Sequence, residues 1–154
     1  MRNILFLAIL AAIPYSCVST KQAAKLPPIT IEASETEDLL ATINRERSKR
    51  GFKPLMSLSA LTCAAQNHAL DIGPRKACTH YGRDGSSFIT RAKRCGYNLT
   101  SGGEIVACGQ KTAKDAVNAW LKSSGHYSIM MDPNQKYFGA GMKNNYWVVV
   151  FSKK

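Results

Sequence analysis

Three short segments hold the residues best suited to chemistry: Cys78-Thr79-His80, Gly103-Glu104-Ile105 and Ser123-Ser124-Gly125-His126. The chain has three histidines, and two of them fall in these segments. Imidazole and carboxylate are the groups that bind a borderline metal or move protons near neutral pH. The glycines before Glu104 and His126 permit close backbone approach, which suits a tightly built cleft. The plainer alternative is that each polar residue satisfies a buried partner. With His80, His126 and Glu104 as ligands, a tetrahedral ion keeps an open position, as in hydrolytic zinc sites. Glu104 would then be either a ligand or a base orienting the bound water. A serine hydrolase built on Ser123 or Ser124 lacks the G-x-S-x-G elbow and an orienting third group. A Cys78–His80 enzyme would need a free thiolate, whereas cysteines of exported proteins are usually paired.

These segments must be positioned by helices and strands. Ser34 and Glu37 have capping-box spacing ahead of Leu39, Leu40 and Ile43, and Gly51 stops that helix. A second helix from near Ser57 carries Leu58, Leu61, Ala65, Ala69 and Ile72 on one face, and Gly73-Pro74 ends it. His68 lies beside that stripe and reads as a hydrogen-bonded packing residue, not a third ligand. Ser86 or Ser87 caps a short helix through Phe88 and Ala92, closed by Gly96. Residues 104–107 read as a strand. Thr112 and Asp115 cap a helix bearing Ala116, Val117 and Trp120. Asn144-Asn145 is a two-residue hairpin turn between residues 137–143 and 146–151. The run 147–151 is apolar on both pleat faces, so it needs cover on two sides, which implies a helix–sheet–helix sandwich.

The first 16 residues read as an export signal: Arg2 precedes ten consecutive apolar residues, Ile4 to Ile13. A membrane span needs roughly 20. Ser16-Cys17 resembles a bacterial lipoprotein cleavage site, although Pro14 stands where leucine is favoured. Lipidation of Cys17 leaves Cys63, Cys78, Cys95 and Cys108, an even set suited to disulfides. These four allow three connectivities; the local pairs, Cys63–Cys78 and Cys95–Cys108, are the expected ones. Residues 17–34 then form the anchor and an extended tether, and 35–154 one domain. The formal charge of +11 favours anionic partners such as an envelope surface. Nothing in the pattern of basic pairs suggests nucleic acid.

The order of several marks resembles the CAP superfamily, which holds cysteine-rich secretory proteins, venom allergens and plant pathogenesis-related proteins. The marks are Leu40 to Arg47 with Leu55, His80 to Gly85, Arg91 followed by Gly96-Tyr97, and Gly103-Glu104. They continue with Trp120, Ser123 to His126, Pro133, Gly139 to Gly141, and Tyr146-Trp147 before Phe151. The resemblance is strongest to short bacterial members. It implies an α+β fold, a three-layer αβα sandwich around a mainly antiparallel sheet, with a large cleft. It further implies that His80, His126 and Glu104 line that cleft and that zinc or another divalent cation can bind there. The family's second acid is replaced by Ser123, and two family asparagines by Ile105 and Ile129, which makes the expected rim more apolar. The expectation is therefore a monomeric, lipid-anchored envelope protein that binds a lipid or other apolar ligand. The alternatives are a metal-dependent hydrolase acting on peptide or envelope material, and a scaffold with a vestigial cleft.

Overall fold

Strand β4 (Tyr146–Ser152) divides its side chains between two cores, and this division organises the domain. Trp147, Val149 and Phe151 enter one cluster, while Val148 and Val150 enter the other. All five are fully buried. Burying side chains of this size contributes about 1.5–3 kcal/mol each. The computed structural model describes residues 31–154, with side chains from residue 34. The expected signal (1–16), Cys17 and most of the tether therefore lie outside the described residues.

The elements run α1 (Ile31–Ser48), β1 (Met56–Ser57), α2 (Ser59–Arg75), α3 (Phe88–Arg94) and β2 (Gly102–Cys108). They continue with α4 (Ala113–Leu121), α5 (Ser124–Met130), β3 (Tyr137–Lys143) and β4. The sheet order is β1-β3-β4-β2, antiparallel except for the short parallel β1–β3 pairing. Leu39 and Ile43 of α1 and Ala116, Val117 and Trp120 of α4 cover one face. Leu61, Ala65, Ala69 and Ile72 of α2 and Ala92 of α3 cover the other. The chain is thus the α+β, three-layer αβα sandwich that the apolar run 147–151 requires.

Helix α2 approaches β3 closely because β3 carries glycines where they meet. A Cβ on Gly139 would stand 2.1 Å from the Leu61 carbonyl carbon, and one on Gly141 2.4 Å from Gln66 Cα. The hairpin turn forms as the asparagines require, with φ of 54° at Asn144 and 64° at Asn145. Ser87 caps α3 by accepting from Thr90 N, and Thr112 caps α4 by accepting from Asp115 N. Asn44 anchors the loop after α1 by bonding both the N–H and the carbonyl of Leu55. Among the described residues, no helix is long and apolar enough to cross a membrane.

Three expectations are corrected. Ser34 lies inside α1, which starts at Ile31, so it is not the cap. Helix α2 runs through Pro74 to Arg75, and the left-handed Lys76 ends it. The disulfides are Cys63–Cys95 and Cys78–Cys108, not the local pairs. The reason is helix length. Cys63 sits in the first turns of α2 and Cys78 beyond its end, and at 1.5 Å per residue they are roughly 20 Å apart, far beyond disulfide reach.

Candidate functional site

Glu104 leaves β2 on the α2–α3 side of the sheet, opposite to Ile105, and its carboxylate is 1% exposed. A buried charge of this kind needs a partner. Arg91 of α3 supplies it, with a guanidinium nitrogen 2.6 Å from Glu104 Oε2. The same guanidinium donates to the carbonyls of Ser86 (2.6 Å) and His80 (3.2 Å). Arg91 therefore ties the loop carrying His80 to the carboxylate. His80 completes the arrangement by donating from Nδ1 to Glu104 Oε1 at 3.0 Å. Its Nε2 has no hydrogen-bond partner among the described residues, on a ring that is half exposed.

His68 is fully buried in α2, and its Nε2 donates to the carbonyl of Thr79 at 2.9 Å. It is the packing histidine expected from its position. It also fixes the backbone one residue before His80 and lies 4.0 Å from Glu104 Oε1. Arg91 is the functional residue that side-chain chemistry alone did not single out as the clamp on Glu104. A detectable signal was a basic residue at 91 next to Ala92, on the face of a short helix that has to be buried.

His126 lies on α5 and shares a hydrogen bond of 3.0 Å between Nδ1 and Ser123 Oγ. Ser123, at the place of the family's second acid, thus orients this ring, and its hydroxyl makes no cap bond to α5. His126 bonds neither Glu104 nor His80, but His80 is near enough for its charge to act on it. Burial, and secondarily that charge, hold the His126 pKa below the usual imidazole value. Burial likewise depresses the pKa of His68, outweighing the attraction of Glu104.

The cleft beside this network has a volume of about 380 Å³ and is walled by His80, Tyr81, Phe88, Gly103, Glu104 and Ile129. Ile129 of α5 lies over Gly103, where an added Cβ would meet its Cγ2 at 2.8 Å. Ile105 does not contribute to this rim. It points to the opposite core and is fully buried there. The apolar character of the rim therefore rests on Ile129, Phe88 and Tyr81, the last 64% exposed.

These residues make a poor three-ligand metal site. Both oxygens of Glu104 are engaged, and among the described residues no group of three or more His, Cys, Asp or Glu is arranged to hold an ion. The remaining imidazole nitrogens of His80 and His126 are the groups free to take one, with Glu104 behind His80.

The depressed histidines give a pH prediction. Both rings, His68 and His126, are held neutral in the fold, so the unfolded chain takes up protons first as pH drops below ~6.5. Their stabilising contribution is full above that pH and is lost as pH falls toward the folded-state values. The urea midpoint should therefore fall between pH 8 and pH 5. His68→Gln, which can still donate to Thr79, should make that decline shallower; an unchanged slope would show that other groups carry it.

The family model described as CAP, the cysteine-rich secretory protein family, matches residues 40–151. The chain is similar to the Bacillus subtilis protein YkwD, with 32% identity over 114 residues, 74% of this chain and 44% of that one. A second B. subtilis protein, the membrane protein YlbC, is 23% identical over 124 residues, 80% of this chain and 36% of that one. The chain thus spans less than half the length of these curated relatives. In structure it is similar to an extracellular SCP-domain protein of Bacillus anthracis, with a TM-score of 0.78 and 20% identity over 86% of this chain and 45% of that one. It is also similar to an outer surface protein of Borrelia burgdorferi, with a TM-score of 0.70 and 24% identity over 79% of this chain and 93% of that one. The His80–Glu104–Arg91 arrangement and the αβα sandwich thus stand in a chain that belongs to the CAP, or cysteine-rich secretory protein, family.

Proposed function

We propose that this is an exported, Cys17-anchored protein of a bacterial envelope whose CAP domain binds a ligand with an apolar part in the cleft beside His80. The observation that carries this reading is the state of Glu104. Its two oxygens are held by Arg91 and His80, so no lone carboxylate is poised to take a proton from water. Phe88, Tyr81 and Ile129 offer apolar contact, and the His80 Nε2 offers one polar contact to fix orientation. A divalent ion would be held by the His80 and His126 imidazoles alone and so bound weakly, because two protein ligands leave most of its coordination shell to water.

The test uses an environment-sensitive apolar dye as probe, with the full chain. Wild type should bind it, and Ile129→Asn should weaken binding by about tenfold, the ~1.4 kcal/mol expected from removing one apolar wall. Turnover should be absent on a panel of peptide and ester substrates, with or without added zinc. Hydrolysis that requires zinc and is lost in Glu104→Gln would replace this reading with the metal-dependent hydrolase. Dye binding indifferent to Ile129 would remove the cleft from it.

A further inference from the structure

A second concavity, of about 700 Å³, lies at the end of the sheet where β2 begins and β4 ends. Four lysines from three separate segments line it: Lys53 after α1, Lys136 before β3, and Lys153 and Lys154 after β4. Asp132 pairs with Lys153 at 2.7 Å. Lys53, Lys136 and Lys154 are exposed and have no carboxylate partner among the described residues.

The floor of this basin is unusual in two respects. Phe52 lines it, and the Arg47 guanidinium lies over the Phe52 ring at 5.7 Å from its centroid. Arg47 is fully buried, yet its hydrogen bonds go to the carbonyls of Lys53, Met130 and Asp132 and not to a carboxylate. The hydrogen-bond acceptors of Arg47 are neutral, and the nearby Asp132 carboxylate offsets only part of the positive field it adds beneath the lysines. Gln135 also lines the basin. It is 4% exposed, and its Oε1 has no hydrogen-bond partner.

We propose that this basin docks a chain of phosphate groups, such as a phosphodiester-linked anionic polymer. Lysine ammonium groups act as mobile point charges, which suit the dispersed oxygens of phosphate. The basin has no arginine fork at its rim of the kind that favours paired carboxylate oxygens. Amines on three segments can meet successive phosphates, and a recessed basin fits a chain better than a flat lipid surface. Ser101, which lines the basin, precedes Gly102, which lines the cleft. This site is separate from the cleft ligand proposed above and does not depend on it.

Titration of the full chain with fluorescently labelled long-chain polyphosphate tests the assignment. Binding should weaken as salt rises, and joint Lys53→Gln, Lys136→Gln, Lys153→Gln and Lys154→Gln should cost about tenfold or more in affinity. A control with equal charge loss elsewhere, at Lys93, Lys111, Lys114 and Lys122, should cost less than about threefold. The single change Lys136→Glu, which disturbs no ion pair, should act in the same direction as the fourfold basin variant and covers the case in which that variant folds poorly. Equal losses in the basin and control variants would reduce the effect to net charge and overturn the site. Absence of polyphosphate binding would overturn it too, as would basin-dependent binding to phosphatidylglycerol vesicles in preference to polyphosphate.

Discussion

Exchanging Arg91 for methionine is expected to destabilise the domain by about 3–5 kcal/mol, the usual cost of leaving a buried charge without its partner. Arg91 and Glu104 are 6% and 1% exposed at their side chains and meet at 2.6 Å. Methionine fills much of the space but leaves the carboxylate with His80 alone. The Ser86 and His80 carbonyls lose their donor at the same time. Urea unfolding of the full chain measures this directly. The double variant Arg91→Met, Glu104→Gln should recover part of the loss, because no ionised group is then buried unpaired. A single variant within about 1 kcal/mol of wild type would show that the pair contributes little beyond an exposed ion pair.

Removing the Cys78–Cys108 disulfide, as Cys78→Ala with Cys108→Ala, is expected to cost about 3.5–4 kcal/mol in the chain-entropy model. The crosslink closes a sequence separation of 30 residues and ties the segment leading to His80 to the end of β2. The second disulfide, Cys63–Cys95, spans 32 residues and overlaps the first in sequence. Their contributions should therefore fall short of additive, since each shortens the free loop the other closes. Thermal unfolding of the two double variants and the quadruple variant measures this. The Cys78–Cys108 variant should also weaken probe binding in the cleft, while the Cys63–Cys95 variant should leave it closer to wild type. Equal effects on the cleft would mean that His80 is held by Arg91 and His68 without help from the disulfide.

Much of the architecture is legible locally. The apolar run 147–151 demands cover on both faces, and α1, α2 and α4 provide it. The caps at Ser87 and Thr112 and the Asn144-Asn145 turn form where short-range chemistry places them. Helix α5 carries no such signal, because Ser-Ser-Gly-His has no helical apolar stripe. It is held instead by Met130 in the core and by Ile129 over Gly103. Ile105, expected at the cleft rim, lies on the face opposite Glu104, because adjacent residues of a strand point to opposite sides of the sheet.

By itself, the sequence determined the family, the sandwich and the identity of the chemically capable residues, since periodicity, capping and motif order are local and survive without coordinates. Tertiary structure decided which of those residues meet. His80 and Glu104 are 24 positions apart, and Glu104 is 13 from Arg91, so only the packing of the loop and α3 against β2 could join them. His126, by contrast, bonds Ser123 three residues before it, a local contact, and does not reach Glu104. Tertiary packing also decided the disulfide partners, because a rigid α2 separates Cys63 from Cys78 while the sheet brings Cys108 back to Cys78. Pairings between elements depend on crossing geometry and on which face each side chain occupies, quantities that are not written in the spacing of residues along the chain.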